Sequence, residues 1–157
     1  MVDDKLEGGD KDIEFMELAL REARAAFEKG EVPVGAVLVR DGQVLETAHN
    51  LRESLKDPSA HAEMLVLRAG AEGFDSWRLT GATLYVTKEP CIMCSGAVIN
   101  ARISRVVYGC RDEKAGGAES LYSILTDKRL NHQAEVVSGV LEEECAALLK
   151  SFFKERR

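Results

Sequence analysis

The chain has no long hydrophobic run, and its first twelve residues, MVDDKLEGGDKD, offer neither a basic start nor an apolar stretch. A secretory signal needs both, and a spanning helix needs about 20 apolar residues in a row, so the expectation is a soluble cytoplasmic protein with no membrane partner. Cysteine is scarce. With no export signal, the four present, Cys91, Cys94, Cys110 and Cys145, point to thiols or metal ligands rather than a disulfide framework. Internal repeats, an interdomain linker and low-complexity segments are lacking, and 157 residues, 45% hydrophobic, suffice for one domain with a sizeable core.

Positive charge is also short: the formal charge is -6, which counts against a chain-wide phosphate-binding surface. The deficit is local. Residues 1–31 hold ten acids and five bases, and the other 126 residues are nearly neutral. KSFFKERR at the end and RISRVVYGCRDEK at 102–114 each carry four bases, so either a local basic face or a merely solvated surface fits.

Residues 1–11 read as a flexible lead. Ile13, Met16, Leu20, Ala23 and Phe27 recur every three or four positions, which predicts an amphipathic helix closing near Gly30. VPVGAVLVRDGQVLETAHN reads as a hairpin turning at Asp41-Gly42. A helix over about 60–71 follows, then a buried strand at ATLYVT, a helix through IMCSGAVINA opened by Pro90, a strand at RVVYG, another at AEVVSG, and a final helix LEEECAALLKSFFK. Strands alternating with helices give an α/β layered domain.

SAHAEML places His61 and Glu63 two apart, and EPCIMC places Cys91 and Cys94 three apart. Residues two apart diverge within a continuous helix. At a helix start they are not yet bound to one stripe, so both can address the space ahead of the helix end. Cys91 and Cys94 share one helical face, where the positive helix start favours thiolate. One imidazole and two thiolates form a zinc-type set, with a fourth position left for water, and Glu63 is placed to move protons. The C-x-x-C alone also fits a redox pair or half a structural zinc site. A closed site would need a fourth protein ligand, and Cys110, Cys145, His49 and His132 are the candidates. Cys110 and Cys145 read as core, His49 as a residue lining the pocket, and His132 as a loop-ordering or substrate-contact residue.

H-A-E followed about 28 residues later by P-C-x-x-C resembles the zinc nucleoside and nucleobase deaminases. EVPVGAVLV, AHNLRE, DPSAHAEM, LYVTKEPCIMCSGAVINARI, VVYGCRDEKAGGAESL, Asn131-His132 and FFKERR extend that likeness over nearly the whole chain after residue 12. Together they resemble the bacterial tRNA adenosine deaminases, in the zinc-dependent cytidine/deoxycytidylate deaminase superfamily. The resemblance implies a three-layer α/β/α fold with a mixed five-stranded sheet, a single zinc deaminase domain over 12–157, and a homodimer that acts on the tRNA anticodon stem-loop and converts its wobble adenosine to inosine. By motif match His61, Cys91 and Cys94 take the ligand positions for one Zn2+ per subunit, Glu63 the proton-shuttle position, and Asn50 and Ala62 the substrate-binding positions. Asn50 also fits a turn cap, and Phe152 and Phe153 fit core anchors, with stacking on an RNA base as their rival role. Lys88 stands where that family usually has an apolar residue, and Glu119 where glycine is common; both bear on loop packing and substrate fit. A guanine or other free-nucleobase deaminase shares the zinc motif, and a non-catalytic RNA-binding subunit with a structural zinc is a third reading.

Overall fold

The computed structural model describes residues 4–156. The elements run α1 (Asp4–Glu28), β1 (Gly35–Arg40), β2 (Gln43–His49), α2 (Ala62–Phe74), β3 (Thr83–Lys88), α3 (Ile92–Ala101), β4 (Arg105–Cys110), a 3-10 turn (Ile124–Thr126), β5 (Glu135–Val137) and α4 (Glu142–Glu155). The sheet order is β2-β1-β3-β4-β5. β1 is antiparallel to β2 and β3, and β3, β4 and β5 are parallel, so the sheet is mixed. Parallel neighbours need a crossover, which α3 supplies between β3 and β4.

Strand alternation sorts the core into two layers. Leu38, Leu84, Val86, Val106 and Tyr108 face α2 and α3, where Val66, Leu67, Val98 and Ile99 complete one cluster. Val37, Val39, Tyr85 and Val107 face α1 and α4, where Phe15, Met16, Leu20 and Cys145 complete the other. The result is the three-layer α/β/α arrangement with a mixed five-stranded sheet. The hairpin turns as its residues demand: Asp41 and Gly42 both take positive φ, 52° and 75°, the geometry of a two-residue turn.

α1 departs from its sequence reading. It begins at Asp4, so residues 4–11 of the anticipated lead are helical, because once a helix is nucleated each added residue gains a bond; residues 1–3 lie outside the described residues. Ile13, placed on the buried stripe by periodicity, is exposed, and its neighbour Asp12 is buried. The cause is distant in sequence. Asp12 accepts two bonds from the Arg105 guanidinium, at 2.8 and 2.7 Å, and one from the Tyr85 hydroxyl at 2.7 Å. That turns the Asp12 side of the helix inward.

Candidate metal centre and active-site cavity

His61 is the N-cap of α2 and Cys91 the N-cap of α3, both in extended backbone conformation. Cys94 lies one turn into α3. The His61 Nδ1 is 3.7 Å from Cys91 Sγ and 3.5 Å from Cys94 Sγ, and one donor atom from each of the three lies within 4.8 Å of the other two. Tetrahedral zinc with bonds of about 2.3 Å to sulfur and 2.0–2.1 Å to nitrogen requires an N···S separation of about 3.6 Å. The donor set therefore fits zinc by spacing as well as by chemistry. Cys110, Cys145, His49 and His132 are not in this group.

The electrostatics of the group are those of a proton-sharing cluster. The hydrogen bond from Cys94, with His61 alongside, holds the Cys91 thiol at about 4 against the opposing effect of burial. The same Cys91 contact and burial push Cys94 well up. Burial pushes the Glu63 carboxyl up. Glu63 sits in the first turn of α2, buried, and is not a member of the ligand group.

Beside these groups opens a cavity of about 250 Å³, lined by His61, Ala62, Glu63, Cys91 and Asn50 among others. Ala62 is fully buried at the first helical position, where backbone N–H groups have no intrahelical partner. Asn50 does cap a turn: its Oδ1 accepts from the Arg52 amide at 3.1 Å, and its Nδ2 donates to the Val32 carbonyl at 3.3 Å. One N–H and one lone pair remain free to meet a ligand.

The other sequence candidates separate. His49 does not line the cavity; it faces α1, with Nδ1 3.2 Å from Glu22 and Nε2 3.0 Å from Lys29, because residue alternation along β2 points it away from Asn50. His132 orders a loop through the Ile103 carbonyl, 2.7 Å away. Cys110 and Cys145 are core. Phe152 is a core anchor against Phe27, whereas Phe153 is half exposed and lines the cavity mouth.

Two structural contributions, those of Glu31 and Glu89, went unread in the sequence, and Lys88 was read there only as a departure bearing on loop packing and substrate fit. Buried Glu31 accepts the Glu53 amide at 2.9 Å and the Ser54 amide and hydroxyl at 2.6 Å, fixing the loop before α2. Buried Glu89 accepts amides from Asp112, Ala118, Glu119 and Ser120 and the Ser120 hydroxyl, fixing the loop after β4. Lys88 pairs with Asp112 at 3.1 Å, and both line the cavity. The available signal was the acid in each of GEVPVG and KEPC: a carboxylate flanked by apolar or proline residues at an element boundary.

Two helix starts presenting an imidazole and two thiols at one edge of a mixed sheet between helical layers form a zinc-type donor group. Residues 10–157 match the model of the MafB19-like deaminase family, and the chain belongs to it. It is 54% identical over 143 residues to the tRNA-specific adenosine deaminase of Bacillus subtilis, covering 91% of this chain and 89% of that one. The tRNA-specific adenosine deaminase of Aquifex aeolicus is 48% identical, with 91% and 94% covered. A structure solved in a study of A-to-I editing by tRNA:A34 deaminases at the wobble position of transfer RNA matches with a TM-score of 0.84 at 48% identity, covering 87% of this chain and 99% of that one. The guanine deaminase of Nitrosomonas europaea, 22% identical with a TM-score of 0.77 and 88% and 82% covered, shares the fold.

Proposed function

We propose that this protein converts adenosine to inosine at the wobble position of tRNA anticodons. The reading takes residues 12–157 as one deaminase domain, a homodimer in the cytoplasm, with one Zn2+ per subunit held by His61, Cys91 and Cys94. The observation that carries it is the close group of one imidazole nitrogen and two sulfurs beside a cavity that also holds a buried carboxylate outside the group. The tRNA-specific names of relatives at 46–54% identity support the substrate. Exposed Ile92 and Met93 at the start of α3 and exposed Leu121 and Tyr122 in the loop that packs on it support a second copy there.

When bound, zinc supplies an acidified water and a Lewis acid. Glu63 takes a proton from the attacking water and delivers it to the adenine ring nitrogen. The same carboxylate then takes the remaining proton from the added oxygen and passes it to the amine as the C6–N bond breaks, leaving a C6 carbonyl and ammonia, so one water is added and one ammonia lost. The spare N–H and lone pair of Asn50 and the helix-start amide of Ala62 orient the base. Anticodon loops suit a cavity of this size because their bases splay out at low cost.

The test is purified protein incubated with tRNA bearing adenosine at the wobble position, and separately with guanine, adenine and cytidine, scored for inosine or ammonia. Inosine in tRNA alone supports the reading; ammonia from guanine would replace it with a free-base deaminase. Glu63→Ala should retain zinc and lose about 10²- to 10⁴-fold in kcat. Loss of zinc with the carboxylate would refute the division of roles.

A further inference from the structure

The cavity is lined by three carboxylates, Glu63, Glu89 and Asp112, a setting that opposes a polyanionic substrate. Glu89 is surrounded by five donors, and Glu63 lies buried. Asp112 is different. Its Oδ1 accepts the Lys114 and Ala115 amides, at 3.0 and 3.1 Å, at the base of the loop that walls the cavity. Its Oδ2 faces the Lys88 ammonium at 3.1 Å, with the Lys88 side chain 30% exposed and that of Asp112 12%. Lys88 ends β3 and pairs across the parallel ladder with Cys110, two residues before Asp112, so its reach to that carboxylate is set by strand register.

We propose that Lys88 is a positioning residue for RNA: by neutralising and holding Asp112 it keeps the wall of the cavity in place and removes a negative charge from the path of the substrate phosphates. The inference rests on the tRNA reading above and adds to it a residue that the zinc motif does not contain. Without the ammonium, Asp112 Oδ2 stands bare at the rim, repels the approaching backbone and is free to turn from the amides it now accepts.

The test measures kcat and KM on an anticodon stem-loop RNA for wild type, Lys88→Met, Lys88→Arg, Asp112→Asn and Lys88→Met/Asp112→Asn, across a range of KCl. Lys88→Met should raise KM by roughly fivefold, with kcat changed by less than about twofold, and Lys88→Arg should stay near wild type. In the Asp112→Asn background the same change should have little further effect, since the charge it shields is gone. Added salt should narrow the KM gap between Lys88→Met and wild type. Amide hydrogen exchange at Lys114 and Ala115 should quicken in Lys88→Met. An equal KM rise in both backgrounds, a salt-independent defect, a matching fall in kcat, or unchanged exchange would overturn the proposal. A wild-type enzyme inactive on RNA but active on a free base would instead sink the tRNA reading, while the exchange measurement would still judge the clamp on Asp112.

Discussion

Glu89→Gln exchanges an anion for a neutral group of the same shape at the point where most of the loop after β4 is anchored. In the native site Oε2 accepts the amides of Ala118, Glu119 and Ser120, and Oε1 accepts the Asp112 amide at 3.1 Å and the Ser120 hydroxyl. A glutamine has one acceptor oxygen, and its best orientation places that oxygen against the three clustered amides. Its NH2 then meets the Asp112 N–H. The Ser120 hydroxyl can rotate to accept, but the amide cannot. One orphaned buried donor costs about 1–3 kcal/mol, and three bonds weakened from charged to neutral acceptor cost roughly 0.5 kcal/mol each. The sum is about 2.5–4.5 kcal/mol, which for a chain of this size lowers Tm by about 5–18 °C. Thermal melts followed by circular dichroism test the stability. Amide exchange across residues 112–120 tests the location. A shift of only a degree or two, or a destabilisation with no faster exchange in that loop, would refute the view of Glu89 as the anchor.

Three further outcomes follow from the same contacts. Asp12→Asn should cost about 2–3 kcal/mol at neutral pH, less than for a fully buried pair because Arg105 keeps 26% of its side chain exposed. Burial pushes the Asp12 carboxyl up, but Arg105 and Tyr85 outweigh it and hold it below the usual range, so the stabilisation is present above the unfolded pKa of about 3.9 and is lost as pH falls through the lower folded value. Melts of wild type and variant should therefore converge below about pH 4, and a constant gap would show that the charge is not the cause. Gly117→Ala would put a methyl 2.9 Å from Ser95 Oγ and 3.0 Å from the Cys91 carbonyl oxygen, displacing the backbone of a proposed ligand; zinc affinity measured against a competing chelator should fall about tenfold. Stripping the metal should abolish deamination and lower Tm, with both restored by added zinc; recovery of activity without metal would refute the assignment of His61, Cys91 and Cys94.

Much of the fold was legible because its signals are local. Short β-rich apolar runs marked β1, β3 and β4, Asp41-Gly42 marked the hairpin, and Pro90 before Cys91 marked the start of α3. The convergence of His61, Cys91 and Cys94 was legible for the same reason, since each sits at a junction that short motifs reveal. What escaped was non-local. Ile13 and Asp12 exchange their expected burial because Arg105 and Tyr85, 93 and 73 residues further on, receive the carboxylate. Glu89, Glu31 and Lys88 gained their roles only when the sheet set loops 22 to 31 residues away beside them.

Sheet topology explains why those distant groups converge on one cavity. β1 runs against β2 and β3, so its first residue meets the last residues of both: Gly35 pairs with His49, Ala36 pairs with Val86, and the Gly35 amide donates to Thr87 Oγ1 at 3.1 Å. β4 runs with β3, so Cys110 ends level with Lys88. Val34, Asn50, Lys88 and Asp112 each lie at or within three residues of a strand end on this edge, and all four line the cavity. An edge where parallel strands end and an antiparallel strand begins gathers side chains from four segments without any long loop. It also places the starts of α2 and α3 side by side, with their unpaired amides and positive ends turned toward the cavity beside His61, Cys91 and Cys94. The motif residues are therefore half of the device. The register of β1, β3 and β4 brings them within reach of one another, and a one-residue slip in that register would part Lys88 from Asp112 and Glu89 from its amides while leaving every motif in the sequence intact.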